Sequence, residues 1–216
     1  MSQIYVWDKF IRIFHWSLVA LFIISYLTGD ELEFIHTWSG YSITVLIFAR
    51  LGWGFIGSKY ARFSEFVQTP KKVIGYLKQI ASGKPRRYIG HNPAGGAMVV
   101  AILFALIMTT FSGMKLLAIE EGEGPFAQST TISLLQPAFA DEDRYEDHDE
   151  HEDSSSEVSG HESNEDDEEF WEEIHEFFVN IMLLLIVLHV IGVVVASRQH
   201  DESLVKAMMT GKKRDS

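Results

Sequence analysis

The chain has 216 residues, 47% of them hydrophobic, and a formal net charge of −12. It contains no cysteine, which excludes disulfides, cysteine-held iron–sulfur clusters and haem attached through C-x-x-C-H. The negative charge is local, because apolar runs of membrane length alternate with charged segments, so net charge alone identifies no partner.

The first apolar run covers residues 11–27. It ends in Thr28-Gly29-Asp30 without a small-residue cleavage pattern, so it is expected to stay as a membrane span and not to leave as a signal peptide. The second run covers 36–56, the third 94–114 and the fourth 170–196. Each is near the roughly 20 residues a helix needs to cross a bilayer. They are too long and too uniformly apolar for barrel strands. The predicted fold is all-α and integral to the membrane, a bundle of four transmembrane helices. Residues 1–115 carry helices one to three, with a basic loop over 57–93; 116–169 form an acidic loop; 170–216 carry the fourth helix and a basic tail.

Of the 18 lysines and arginines, all but Lys115 and Arg144 fall on one side of this topology. That asymmetry predicts cytoplasmic termini and a cytoplasmic 57–93 loop, with the acidic loop in the periplasm of a bacterial inner membrane. The stretch DEDRYEDHDEHEDSSSEVSGHESNEDDEE, 141–169, is low in complexity and anionic, and is expected to be disordered. It reads as a solvated spacer or, with His148, His151 and His161, as a divalent-metal trap or docking tail for a basic redox partner.

Four histidines fall in or at the edge of the spans: His15, His36, His175 and His189. An ionisable side chain there is costly and is a functional candidate by default. His175 and His189 are 14 residues apart on one predicted helix; at 100° per residue they share a face, about 21 Å apart. That suits two metal centres stacked across a hydrocarbon core about 30 Å thick. The predicted topology sets His15 and His189 at the inner depth and His36 and His175 at the outer one. Histidine pairs without cysteine or membrane carboxylates suit haem, zinc or copper. Two separated pairs favour haem, whose porphyrin supplies the equatorial nitrogens, whereas structural zinc wants four protein ligands together. Gly40, Gly192 and Ala196 offer room for a flat macrocycle, although small residues also serve helix packing.

The segments RIFHWS (12–17), HTWSGY (36–41), RLGWGFIGSKYARFSEF (50–66), GHNPAGGAM (90–98), EEIHEFF (172–178) and LHVIGV (188–193) resemble the bacterial cytochrome b561 family. That family includes the b-type cytochrome subunits of membrane nickel–iron hydrogenases, and is similar in layout to formate dehydrogenase gamma subunits. The resemblance covers 1–115 and 168–216. It implies a four-helix bundle carrying two non-covalent b haems, with axial ligands His15, His36, His175 and His189. It also implies exchange of electrons with quinone.

Other residues have two readings. His91-Asn92-Pro93 opens the third span, where Asn92 suits a helix cap and Pro93 a first turn; alternatively His91 and Asn92 lie beside the inner haem and bind a quinone carbonyl or a haem propionate. Lys9, Arg12 and Arg50 are placed to pair with propionates, and snorkelling explains them equally well. Arg12 and Asn92 join the four histidines as candidate cofactor-binding residues. The five tryptophans read first as interfacial belt residues, with Trp38 and Tyr41 also placed to pack on the outer haem.

No nucleophile–base constellation, phosphate loop or dinucleotide fingerprint is present. The expected function is electron transfer between a periplasmic partner and the quinone pool. The partner is either a c-type cytochrome or hydrogenase or dehydrogenase subunits that this chain anchors in the lipid; no nucleic acid is expected. Two other readings remain: a divalent-metal transporter with the acidic loop as collector, which would need polar residues inside the spans, and a haem-free anchor.

Overall fold

The computed structural model describes residues 3–29, 31–83, 86–127 and 155–214. In chain order they form β1 (Gln3–Tyr5), α1 (Lys9–Thr28), α2 (Glu33–Ile56), a 3₁₀ turn (Lys59–Ala61), α3 (Phe63–Phe66), α4 (Pro70–Ala81), α5 (Pro93–Glu120), α6 (Ser155–Gln199), α7 (Leu204–Thr210) and β2 (Lys212–Arg214). Four helices are long and apolar enough to cross a membrane: Lys9–Thr28, Glu33–Ile56, Pro93–Glu120 and Asp166–Gln199. The helices run beyond the apolar spans at several ends. α6 begins at Ser155, inside the segment expected to lack structure. The rest of that acidic stretch, with Arg144, His148 and His151, lies outside the described residues.

The chain divides into two compact units, one of residues up to Thr110 together with those from Phe177 onward, the other Phe111–Glu176. In the larger unit, Ile43 and Ile47 of α2, Ala105 and Leu106 of α5 and Met182 of α6 form a buried core, with Leu18, Leu21 and Phe22 of α1 packed against it. Bulky side chains such as Leu27, Phe48 and Phe104 point outward, as lipid-facing residues must when the bilayer is the solvent.

A second core sits at the chain's ends. Val6, Trp7, Ile11, Ala61 and Ala207 are buried together. Above them β1 pairs antiparallel with β2, with Ile4 opposite Lys213. The amides of Val6 and Trp7 both donate to the carbonyl of Gly211, at 2.8 and 3.1 Å. Gly211 closes α7 with a φ of +82°, a left-handed conformation that favours glycine. Arg87 pairs with Glu202 at 3.6 Å and donates to the carbonyl of Arg214; Lys213 Nζ donates to the carbonyl of Ile89 at 3.2 Å. This clasp ties β1 and β2 to the segment that leads into α5.

α1 starts at Asp8, whose Oδ1 accepts from the amide of Ile11 at 2.8 Å. Its Oδ2 accepts from Trp53 Nε1 at 3.1 Å and from the Ser58 hydroxyl. One carboxylate thus caps α1 and ties it to the end of α2. Burial alone would raise the pKa of Asp8, but the hydrogen bonds from Ser58, Ile11, Trp53 and Phe10 outweigh it and hold the carboxyl below its ordinary range.

Candidate functional site

His15 lies in the N-terminal half of α1 and His189 in the apolar part of α6. The structure brings their rings to 6.4 Å between centroids, tilted by 48°. The imidazoles are too far apart to stack on each other. An ion bonded to one nitrogen of each ring at about 2 Å would fit between them. His15 Nδ1 is enclosed and makes no hydrogen bond, and an orphaned buried nitrogen of this kind is unusual unless something else occupies it. Trp16 sets its ring edge-on against His15, 5.1 Å away.

The helix surface is open one turn from two of the four histidines. Gly192 is one turn from His189, and Gly40 stands in the same relation to His36. At both glycines a Cβ would meet nothing within 4 Å. The residues present therefore fit an axially ligated macrocycle: two opposed imidazoles, an unsatisfied ring nitrogen and open space along the neighbouring turn.

His36 and His175 are each oriented by a hydrogen bond. His36 Nδ1 lies 2.9 Å from the carbonyl oxygen of Ser25 on α1, which accepts only if that nitrogen carries the proton. The tautomer then has an unprotonated Nε2, the form in which imidazole takes a metal. In the smaller unit, Ser112 of α5 is fully buried and its Oγ lies 3.1 Å from Nδ1 of His175. Gly113 permits that approach: a Cβ there would stand 3.1 Å from the His175 ring. His36 and His175 belong one to each unit, and their pairing rests on the sequence.

Arg12 Nη1 donates to the carbonyl of Met209 at 2.7 Å and Nη2 to the Tyr5 hydroxyl at 3.3 Å, so it joins α1 to the clasp; its Nε is enclosed without a partner. An open groove of about 490 Å³ runs beside it, lined by Lys9, Ile13, Trp16, Ser17 and Met209. Asn92 caps α5, its Oδ1 accepting from the amide of Gly95 at 2.7 Å; the side-chain amide is what remains of Asn92 for any ligand.

Two residue types defy their simplest reading. Trp7 is no belt residue: it is 8% exposed and packs edge-on to His91 at 4.6 Å. Arg50 does not snorkel: it is 3% exposed, against the rings of Phe63 and Phe66. Trp38, by contrast, is 59% exposed and lies edge-on to Tyr41 at 6.3 Å. His91 is held between Trp7 and Phe66, the second ring also at 4.6 Å. Burial first, and then the charges of Arg50, Lys213 and His189, push its pKa down to about 3. Sequence reasoning missed the partners Ser25 and Ser112; a hydroxyl inside an apolar helix is the signal that could have found them.

The family model described as prokaryotic cytochrome b561 matches residues 6–211. Among curated proteins the chain is similar to a "Probable Ni/Fe-hydrogenase B-type cytochrome subunit" of Azotobacter chroococcum mcd 1, 27% identical over 156 residues that cover 58% of this chain and 64% of the relative. Proteins of the same name from Azotobacter vinelandii (28% identical; 57% and 62% covered) and Rhodobacter capsulatus (24%; 59% and 60%) match similarly. The matches thus span less than two thirds of these relatives' length. No solved structure matches. With four helices apolar enough to span a membrane and a family match over nearly its full length, this chain is a multi-pass membrane protein that belongs to the prokaryotic cytochrome b561 family.

Proposed function

We propose that the chain is a di-haem b-type cytochrome that transfers electrons across the bacterial inner membrane, between a redox partner in the periplasm and the quinone pool. The observation that carries this reading is the opposed pair His15 and His189, 6.4 Å apart between centroids on α1 and α6. They are the axial ligands of one b haem. His36 and His175 are the ligands of the other, on the depth argument and on the family motifs. A haem, when bound, supplies a one-electron iron couple.

The chain's own residues do the rest. The Ser25 carbonyl and the Ser112 hydroxyl hold the imidazoles of His36 and His175 in a fixed orientation, the outer-shell role that metal-bound histidines generally require. The apolar helices exclude water around the sites. Asn92, at the start of α5, and the groove beside Arg12 are the candidate region for the quinone. The basic loop and tail, on the positive-inside rule, place the clasp in the cytoplasm and the acidic segment in the periplasm.

The relatives bear the name of a hydrogenase subunit, which favours a periplasmic hydrogenase, or a related dehydrogenase, as the partner this chain anchors. A stand-alone cytochrome served by a small c-type cytochrome is the second reading; the acidic segment would then steer a basic partner. Copurification separates the two. The central test is a reduced-minus-oxidised spectrum with pyridine haemochrome quantitation per chain. The expected result is two b haems, falling to one in His189→Ala. A chain without haem after haem-replete expression overturns the reading.

A further inference from the structure

A charge removed from water needs an opposite charge or a full set of hydrogen bonds. Arg50 has neither. Its Nη1 is enclosed and makes no hydrogen bond. The guanidinium carbon lies 5.0 Å from the Phe63 ring centroid and 5.8 Å from that of Phe66. Ring faces attract a cation, but they leave its N–H donors in the ring plane unsatisfied. Among the described residues no carboxylate stands within ion-pair distance. Asp8 is the acid whose charge reaches Arg50, and its oxygens already accept from Ile11, Trp53 and Ser58.

His91 shares the Phe66 ring with Arg50 and has an enclosed, unpartnered Nδ1 of its own. The field at His91 comes from Arg50, Lys213 and His189. Two unsatisfied nitrogens therefore lie around the one Phe66 ring, within reach of the charge of His189, one of the two opposed histidines. A guanidinium presents a planar fork matched to a carboxylate. A diffusible carboxylate would have to pass the packed rings of Trp7, Phe63 and Phe66. A carboxylate that is part of a group seated at His189 would not.

We propose that Arg50 and His91 form an enclosed carboxylate seat, and that it holds a propionate of the b haem ligated by His15 and His189. The proposal rests on the haem reading above. Arg50 supplies the charge and the fork, and His91 one N–H. The packing on Phe66 fixes both.

The test compares the full-length chain in membranes with its Arg50→Gln and Arg50→Lys variants, by redox titration of each haem and by redox-difference infrared spectroscopy of the propionate bands. Removing a nearby positive charge favours the oxidised iron. In Arg50→Gln one haem is expected to show about a tenfold lower ratio of reduced to oxidised form at fixed potential, about 59 mV for a one-electron couple, with a displaced propionate band. The other haem is unmoved. Arg50→Lys restores the charge and the potential but not the band. Two haems with unchanged potentials and bands in Arg50→Gln overturn the seat while leaving the haem reading intact. A wild-type chain without haem overturns that reading itself. If Arg50→Gln does not accumulate, Arg50→Lys decides: a displaced band supports the seat and an unmoved one overturns it.

Discussion

The Oγ of Ser112 lies 3.1 Å from Nδ1 of His175, a contact between α5 and α6 within the smaller unit. It fixes the ring of a histidine that would otherwise rotate about χ2. Ser112→Ala is small enough for the site and removes only the oxygen. Outer-shell partners of metal-bound histidines typically contribute 10- to 100-fold in affinity. The variant is therefore expected to keep its helices and, if His175 ligates a haem as proposed, to retain it about 10- to 100-fold more weakly. Haem content after growth under limiting haem measures this; full retention would show that Ser112 does not support a ligand.

The open space at Gly192 gives a second prediction. Gly192→Leu adds a side chain where nothing stands within 4 Å, so the chain should accumulate at its normal level. If a macrocycle lies against His189, the same side chain excludes it. The variant should carry about half the haem of the wild type by pyridine haemochrome, the outcome also expected of His189→Ala. Normal haem content would place Gly192 against lipid.

Asp8 does three things with one carboxylate, so its removal should cost more than a cap alone, which is worth about 1 kcal/mol. Asp8→Ala leaves Trp53 Nε1 and the Ser58 hydroxyl without their acceptor, and because both are half-buried each lost bond costs about 1 kcal/mol. A sharply shortened half-life at elevated temperature in detergent is expected, with Asp8→Asn less severe. The wild-type carboxyl, held below its ordinary range, contributes stability above about pH 4 that is lost on acidification through its lowered pKa.

His91 predicts the opposite group type with the same acid sensitivity. With no carboxylate seated beside it, as in the haem-free chain, its pKa is about 3 in the folded chain against an ordinary 6.5. Below pH 6.5 the unfolded chain takes up a proton that the folded chain refuses until about pH 3. Stability therefore falls as pH drops through that window and is unaffected above it. His91→Phe, a ring among the rings of Trp7 and Phe66, should flatten the pH dependence of thermal inactivation between pH 6.5 and 4. An unchanged slope would assign the acid sensitivity to other groups.

The four spans are legible in the sequence because apolar length is a property of consecutive residues. The approach of His15 to His189 is legible because rise per residue and alternating direction fix depth. Asn92 and Pro93 announce the start of α5 by local chemistry. The fates of Trp7 and Arg50 are not legible. Residue type places them at an interface, and what buries them is the segment from Ser58 to His91 folding back over the end of α2. The strands QIY and KKR carry no usable strand signal either: each is three residues long, and their pairing is decided by partners some 200 positions away in the chain.

That pairing has a temporal side. β1 precedes all four spans in the chain and β2 follows them. Its few rungs cannot form until every intervening crossing has been threaded with the correct polarity. A chain with one span skipped or reversed would leave the strands on opposite faces, with Val6 and Trp7 bare. The clasp therefore stays open after any single failed crossing, so its closure reports that β1 and β2 ended on the same side of the membrane.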